Sequence, residues 1–292
     1  MRIPTPALEV LATGPLALIQ DLGRPGLAAM GVGRSGAADR RSFKLGARLL
    51  AQDYTAAGIE VTFGGLAVRA LGDVMLALTG APAPAVLDGT EVAHLAPFVL
   101  GDGQALRLAI PPAGLRTYLS VRGGVDVPAV LGSRATDVLS GLGPAPLQVG
   151  DILPVGPPPP GFPNIDVAPV RSLTNGPIAV RALLGPRADW LADARQLATT
   201  PWTVSSRSDR VGIRLEGQAL ERHESKLGQE LPSEGVVRGS IQVPLGGQPV
   251  LFLADHPVTG GFPVAAVVRD ADTDLAAQAV PGQTLWISLQ TP

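Results

Sequence analysis

Gly58-Ile59-Glu60-Val61-Thr62-Phe63-Gly64-Gly65-Leu66-Ala67-Val68 is an apolar run of strand length that halts at paired glycines beside further strand-like residues. Its β-branched content suits a pleated strand, and the Gly-Gly pair suits a tight turn. The same rhythm recurs along the chain, predicting strands at Leu16–Gln20, Gly58–Phe63, Val74–Thr79, Leu106–Ile110, Tyr118–Val121, Ile178–Leu184, Ile241–Val243, Val250–Ala254 and Leu285–Leu289. With 36 Gly and 29 Pro among 292 residues, long helices have little room, so the expected class is mainly β.

Three short helices are expected. Asp39 can cap the first, which puts Phe43, Leu45, Leu49 and Leu50 on an apolar side. The second follows Pro186 through Trp190 and Leu191, and the third covers Asp272–Ala279, starting from Asp272 or Thr273. The run Pro157–Pro160, followed by Gly161 and Pro163, cannot pair inside a sheet. The expected organisation is therefore an N-terminal domain over 1–153, a Pro-rich linker over 154–173 and a C-terminal domain over 174–292. Gly246-Gly247-Gln248-Pro249-Val250 faintly echoes Gly64-Gly65-Leu66-Ala67-Val68, which is weak evidence of a repeat.

Composition narrows the chemistry. A net charge of −2 with 16% charged residues makes no field that would gather nucleic acid or anionic membrane. Cysteine is absent, so disulfides, thiolate metal sites and a cysteine nucleophile are excluded. The stretch Met1–Ala12 is broken by Pro4, Pro6 and Glu9 and does not read as a signal peptide, and no run reaches the roughly 18 apolar residues of a membrane span. The expected location is the cytoplasm.

Several motif-like strings fail on context. Gly31-Val32-Gly33-Arg34-Ser35-Gly36 matches a dinucleotide fingerprint, but Pro25-Gly26 and Met30 precede it where a buried strand is required. Gly33-Arg34-Ser35-Gly36-Ala37 lacks the last glycine of a nucleophile elbow. His94, His223 and His256 are too scattered for a metal site, and there is neither a phosphate loop nor a biotinyl-lysine motif.

Polar turns between strands hold the candidate functional residues. Gln20-Asp21-Leu22-Gly23-Arg24 sets an amide, a carboxylate and a guanidinium on one turn, able to orient a small polar substrate or simply to cap amides and pair Asp21 with Arg24. Arg210 and Arg214, four apart, would share a strand face, their repulsion offset either internally by Asp209 and Glu216 or by a bound carboxylate or phosphate; the expected role is to grip such an anionic group, with Asp209 orienting one of them. Glu234, if partly desolvated, suits acid–base work, and the amides of Thr259-Gly260-Gly261 suit an anionic oxygen.

Taken in order, Gln20-Asp21-Leu22-Gly23-Arg24, Ser35-Gly36-Ala37-Ala38-Asp39, Ser208-Asp209-Arg210, Arg214-Leu215-Glu216-Gly217, Ser233-Glu234-Gly235, Gly239-Ser240-Ile241-Gln242-Val243-Pro244, Asp255 and Thr259-Gly260-Gly261-Phe262-Pro263 resemble the family of the 5-oxoprolinase C subunit, also called allophanate hydrolase subunit 2 or biotin-dependent carboxyltransferase. The resemblance spans nearly the whole chain and implies two cyclophilin-like β-barrel domains. It also implies a complex with the B subunit and a third component that opens 5-oxoproline to glutamate with ATP. The alternatives are a carboxyltransferase component using biotin from a separate carrier to act on urea or a similar amide, and a non-catalytic regulator antagonising a kinase inhibitor. On this reading Asp209, Glu234 and Asp255 are catalytic candidates. Gln20, Asp21, Arg24, Arg210, Arg214, Gln242, Thr259, Gly260 and Gly261 bind substrate, and no metal is expected. Phe262 stands where the family commonly has Tyr, so no hydroxyl is available there.

Overall fold

The computed structural model describes residues 5–164, 166–170 and 172–290. The first four residues of the N-terminal stretch, positions 165 and 171 of the Pro-rich segment, and the last two residues lie outside them. Two compact units are present: Met1–Arg24 with Asp39–Asp137 and Gly141–Thr174, and Pro25–Ala38 with Val138–Ser140 and Asn175–Pro292. The expected division into contiguous halves therefore differs from the structure. The chain leaves the first unit at Pro25 and again at Val138, and the segment read as a free linker lies in that unit. Arg122 is the reason: it donates to the carbonyls of Pro159 and Gly161 and stacks on Phe162, while Ala168 joins a small apolar cluster with Leu49 and Leu50.

The first unit contains β1 (Ala7–Thr13), β2 (Leu16–Gln20), α1 (Arg40–Leu49), β3 (Gly58–Thr62), β4 (Leu66–Leu71), β5 (Val74–Gly80), β6 (Ala85–Leu87), β7 (Thr90–Glu91), β8 (Pro97–Leu100), β9 (Ala105–Leu108), β10 (Arg116–Val121) and β11 (Ile152–Pro154). They form two antiparallel sheets, ordered β11-β1-β4-β9-β6-β7 and β2-β3-β10-β5-β8. One apolar cluster joins them, with Leu8, Val68 and Leu106 from the first sheet and Ile59, Leu76 and Leu119 from the second. Strand β10 is buried on both sides because α1 covers its other face. Gly46 permits that approach, since a Cβ there would lie 2.1 Å from the Ser120 hydroxyl. As the sequence predicts, Asp39 caps α1, accepting from the Ser42 amide at 2.9 Å.

Under α1 lies a buried polar network that the sequence does not announce. The Tyr118 hydroxyl donates to Glu60 at 2.8 Å and accepts from the Asp39 amide at 2.8 Å, while Arg116 lies 3.5 Å from the other Glu60 oxygen. Burial, then the Glu60 and Asp39 charges, hold the Tyr118 phenol well above its usual range. The unfolded phenol loses its proton near pH 10, so this group's contribution is complete below about pH 10 and is lost as pH rises toward the folded value. We therefore expect wild-type stability to fall above that pH by up to about 1.4 kcal/mol per unit from this group. Tyr118→Phe should lack that component in alkaline denaturant titrations, and an identical slope in both proteins would contradict the assignment.

The second unit contains β12 (Ile178–Leu184), α2 (Gln196–Thr199), β13 (Trp202–Val204), β14 (Gly212–Glu216), β15 (Glu234–Gly235), β16 (Ser240–Gln242), β17 (Val250–Phe252), β18 (Thr259–Gly260), β19 (Val264–Val268), α3 (Asp270–Ala276) and β20 (Thr284–Gln290). Seven strands close a barrel in the order β12-β19-β16-β17-β14-β13-β20, the β12–β20 pair being parallel. Alternation along β12 turns Ile178, Val180 and Ala182 inward. Trp202 fills the core and satisfies its indole by donating to the Leu197 carbonyl at 3.0 Å. The mainly β expectation holds; closure into a barrel is seen in this unit, whereas the first is built from two sheets sharing one core.

The expected second helix is a single 3-10 turn, Ala188–Trp190. Helix α3 begins at Asp270, two residues before the expected start, and its acids are tied to cations. Asp272 chelates Arg181 at 2.7 and 2.8 Å, and Arg238 bridges Asp270 and Asp274 at 2.5 and 2.7 Å. Acids in a first turn also complement the helix dipole.

Candidate functional site

In the first unit, β2 delivers Gln20, Asp21 and Arg24 to one place, and all three bind the backbone of the segment 130–136. Gln20 donates to the Thr136 carbonyl at 2.8 Å. Asp21 accepts from Gly23 N at 2.7 Å, the Ser133 hydroxyl at 2.6 Å and Arg134 N at 2.7 Å. Arg24 donates to the Ala135 carbonyl at 2.5 Å and more weakly to that of Val130. Asp21 caps amides, as the simpler of the two expectations had it. Its oxygens go to Gly23, Ser133 and Arg134, however, so the expected Asp21–Arg24 pair gives way to separate anchors on one loop. Gln20 and Arg24 are buried, and each keeps one polar atom, Gln20 Oε1 and Arg24 Nη1, without a protein partner. One is an acceptor and the other a donor, which is the complement of an amide edge.

In the second unit, Arg210 and Asp255 form a buried, two-pronged ion pair, Nε to Oδ2 at 2.8 Å and Nη2 to Oδ1 at 3.1 Å. Arg210 also donates to the Gly36 carbonyl at 2.7 Å. Asp255 accepts in addition from the Ser35 hydroxyl at 2.6 Å and Val138 N at 3.1 Å. Ser35 is wholly buried and holds φ 53°, a left-handed conformation that is costly outside glycine. With four donors on its two oxygens, Asp255 is an organiser of the segments around Ser35 and Val138. That occupancy argues against the proton-transfer role expected for it.

The neighbouring expectations change with the local geometry. Asp209 accepts from Val211 N at 2.8 Å and Gly212 N at 3.0 Å, making a turn that closes on Gly212, the first residue of β14. Strand alternation therefore does not reach Arg210, which is buried while Arg214 is exposed on β14. The two arginines do not share a face, and Arg210 takes its partner from Asp255 rather than from Asp209.

A third group surrounds the β15–β18 ribbon, in which Glu234 faces Gly260 and Gly235 faces Thr259. Glu234 is gripped by Arg187, whose Nε lies 3.0 Å from both carboxylate oxygens and whose Nη2 adds a close contact. Hydrogen bonding to Arg187 outweighs desolvation and holds the Glu234 carboxyl below its usual range. The expectation of a desolvated general base required a shift the other way. Thr259 and Gly260 are extended and paired, so their amides do not form a concave anion nest. Beside them, Gln242 is buried and donates to the Phe262 carbonyl at 2.9 Å, and a Cβ on Gly260 would come within 2.5 Å of its Nε2. Gly260 is thus needed for the approach of Gln242, and Gly261 lies in the bend that follows β18. Sequence reading missed Arg187; its only signal was a cation directly after Gly185-Pro186 at a strand end.

Among the described residues no group of three or more His, Asp or Glu side chains is placed to hold a metal ion, and no helix is long and apolar enough to cross a membrane.

Paired β units bearing these polar clusters are the frame of a carboxyltransferase domain. The chain belongs to that family, whose model for the carboxyltransferase domain, subdomains A and B, matches residues 30–288. It is 37% identical to the C subunit of 5-oxoprolinase from Escherichia coli (strain K12) over 283 residues, covering 95% of this chain and 89% of that protein. The Haemophilus influenzae 5-oxoprolinase C subunit is 34% identical, with the same two coverages. Among solved structures, TTHA0988 matches with a TM-score of 0.88 at 34% identity, and the Kluyveromyces lactis urea amidolyase with 0.92 at 28%. Each match covers 99% of this chain, which spans 56% of the TTHA0988 chain and 19% of the amidolyase.

Proposed function

We propose that this chain is the C subunit of a 5-oxoprolinase, acting in a heteromeric cytoplasmic complex that opens 5-oxoproline to glutamate at the expense of ATP. The observation that carries this reading is the 37% identity to a 5-oxoprolinase C subunit extending over 89% of that protein. The buried acceptor of Gln20 and donor of Arg24 support it, because a lactam presents an N–H and a C=O side by side.

The residues present do not fit a nucleoside triphosphate. The arginines of the polar clusters are already engaged: Arg24 by backbone carbonyls, Arg187 by Glu234, Arg210 by Asp255 and Arg238 by Asp270 and Asp274. No phosphate loop occurs in the sequence. ATP is accordingly assigned to another component of the complex.

A second reading, carboxyl transfer to urea or a similar amide, is favoured by the family model and by 30% identity to the urea amidolyase of Saccharomyces cerevisiae, of which this chain spans 16%. That reading requires biotin on a separate carrier, since the chain has no biotinyl-lysine motif.

The test is ATP hydrolysis and glutamate release by this chain mixed with its cognate subunits, with and without 5-oxoproline. We expect ADP and glutamate only when every component is present. Full turnover with this chain omitted would overturn the reading, and carboxylation of urea by a biotinylated carrier would replace it with the second.

A further inference from the structure

Away from the polar clusters, the first unit carries an apolar groove of about 710 Å³ between the start of β5 and the Pro-rich segment. Met75, Val99 and Phe162 supply its apolar surface, and Val99 and Phe162 are 54% and 85% exposed. The volume falls in the range of small-molecule sites. The groove exists because the Pro-rich segment is tied down. Arg122 holds the Pro159 and Gly161 carbonyls, and a Cβ on Gly123 would lie 2.1 Å from the Gly156 carbonyl.

The hydrogen-bonding character of the lining is one-sided. Pro6, Pro157 and Pro158 have no N–H to offer. The amides of Val155, Gly156 and Asp126 donate to Pro6, Gly124 and Pro154. Both terminal nitrogens of Arg122 are committed, to the carbonyls of Leu50, Pro159 and Gly161. Thr5 adds a hydroxyl, which accepts as readily as it donates. The strongest groups left to meet a ligand are the exposed carboxylates of Asp73 and Asp126, whose two negative charges outweigh the single Arg122 guanidinium in the lining. One Asp73 oxygen accepts from Asp102 N and one Asp126 oxygen pairs with Arg134, which leaves a second oxygen on each.

An apolar floor with acceptors and few donors selects a ligand that is itself apolar and donor-bearing. We propose that this groove binds a small apolar amine, an alkyl- or arylammonium whose body lies on Met75, Val99 and Phe162 and whose N–H groups reach Asp73 or Asp126. The site is separate from the clusters described above and does not depend on the activity assigned to them.

Three probes with one chain and different heads, hexylammonium, hexanol and hexanoate, test this on the isotope-labelled full chain by following the amide resonances of Met75, Val99 and Gly156. A charge-assisted bond exceeds a neutral one by enough to make hexylammonium bind about tenfold tighter than hexanol, with dissociation constants in the millimolar range for ligands of this size. Hexanoate should bind most weakly. Asp73→Asn combined with Asp126→Asn should abolish the preference for the ammonium, and Phe162→Ala should weaken all three probes. The proposal is overturned if hexanoate binds as tightly as hexylammonium, if the double Asn variant keeps the preference, or if none of the probes moves these resonances.

Discussion

Removing either member of the Arg210–Asp255 pair is expected to cost about 3–5 kcal/mol of stability, because each deletion leaves a buried charge without its counter-ion. Arg210 and Asp255 are 2% and 1% exposed, so water cannot substitute for the missing partner. Asp255→Ala should be the more disruptive of the two, since it also releases the Ser35 hydroxyl and the Val138 amide. A unit of this size loses roughly 2–4 °C per kcal/mol, so its melting temperature should fall by roughly 6–20 °C. Replacing both residues by apolar ones of similar volume, Arg210→Met with Asp255→Leu, should cost less than the two single changes added together. Additive single and double effects, or a loss under about 1 kcal/mol in either single variant, would show that the pair does not organise the segments around Ser35 and Val138. Two-pronged pairing with four donors on one carboxylate is an arrangement for holding chain segments in place. A drop in activity in these variants should therefore track the loss of folded protein.

The strands were readable wherever Val, Ile and Leu run between Gly and Pro, as in Ile178–Leu184, which coincides with β12. Helix α1 was readable because its cap is local: Asp39 needs only the amide three residues away. Strand β1 was not, since Pro4, Pro6 and Glu9 interrupt the apolar pattern around its buried Ala7, Leu8 and Val10. The site divides the same way. Gln20, Asp21 and Arg24 lie on one turn, and the structure does gather them on one loop. Arg210 and Arg214 misled because a periodicity rule was carried through a turn that the side chain of Asp209 itself creates. The partners that matter, Arg210 with Asp255 and Arg187 with Glu234, are 45 and 47 residues apart. Nothing local in one chain announces such a pairing, which is set by how the strands close the barrel.

The first glycines of the two Gly-Gly turns that look alike in sequence should respond very differently to the same substitution. Gly64 has φ +67°, and a Cβ on it would lie 2.1 Å from the carbonyl oxygen of Ala109 and 3.1 Å from the Cα of Ile110. Gly65, at φ +80°, would drive a Cβ to 2.8 Å from the Cα of Gly14, so three glycines and the Ala109 segment converge at one point. The obstacles are backbone, with no flexible side chain to swing aside. Alanine at Gly64 therefore combines an unfavourable left-handed conformation with an overpacked contact, and Gly64→Ala should destabilise by roughly 3–5 kcal/mol. At the position it echoes, Gly246 meets nothing within 4 Å and keeps an ordinary φ, so Gly246→Ala should change stability by under about 0.5 kcal/mol. Denaturant titration of the two variants separates these outcomes. Similar losses in both would mean that the pairs play one structural role and that the sequence echo marks a true repeat. A small loss at Gly64 would mean that the Ala109–Ile110 segment can move aside for a methyl group, in which case its close approach to Gly64 is not what fixes this turn.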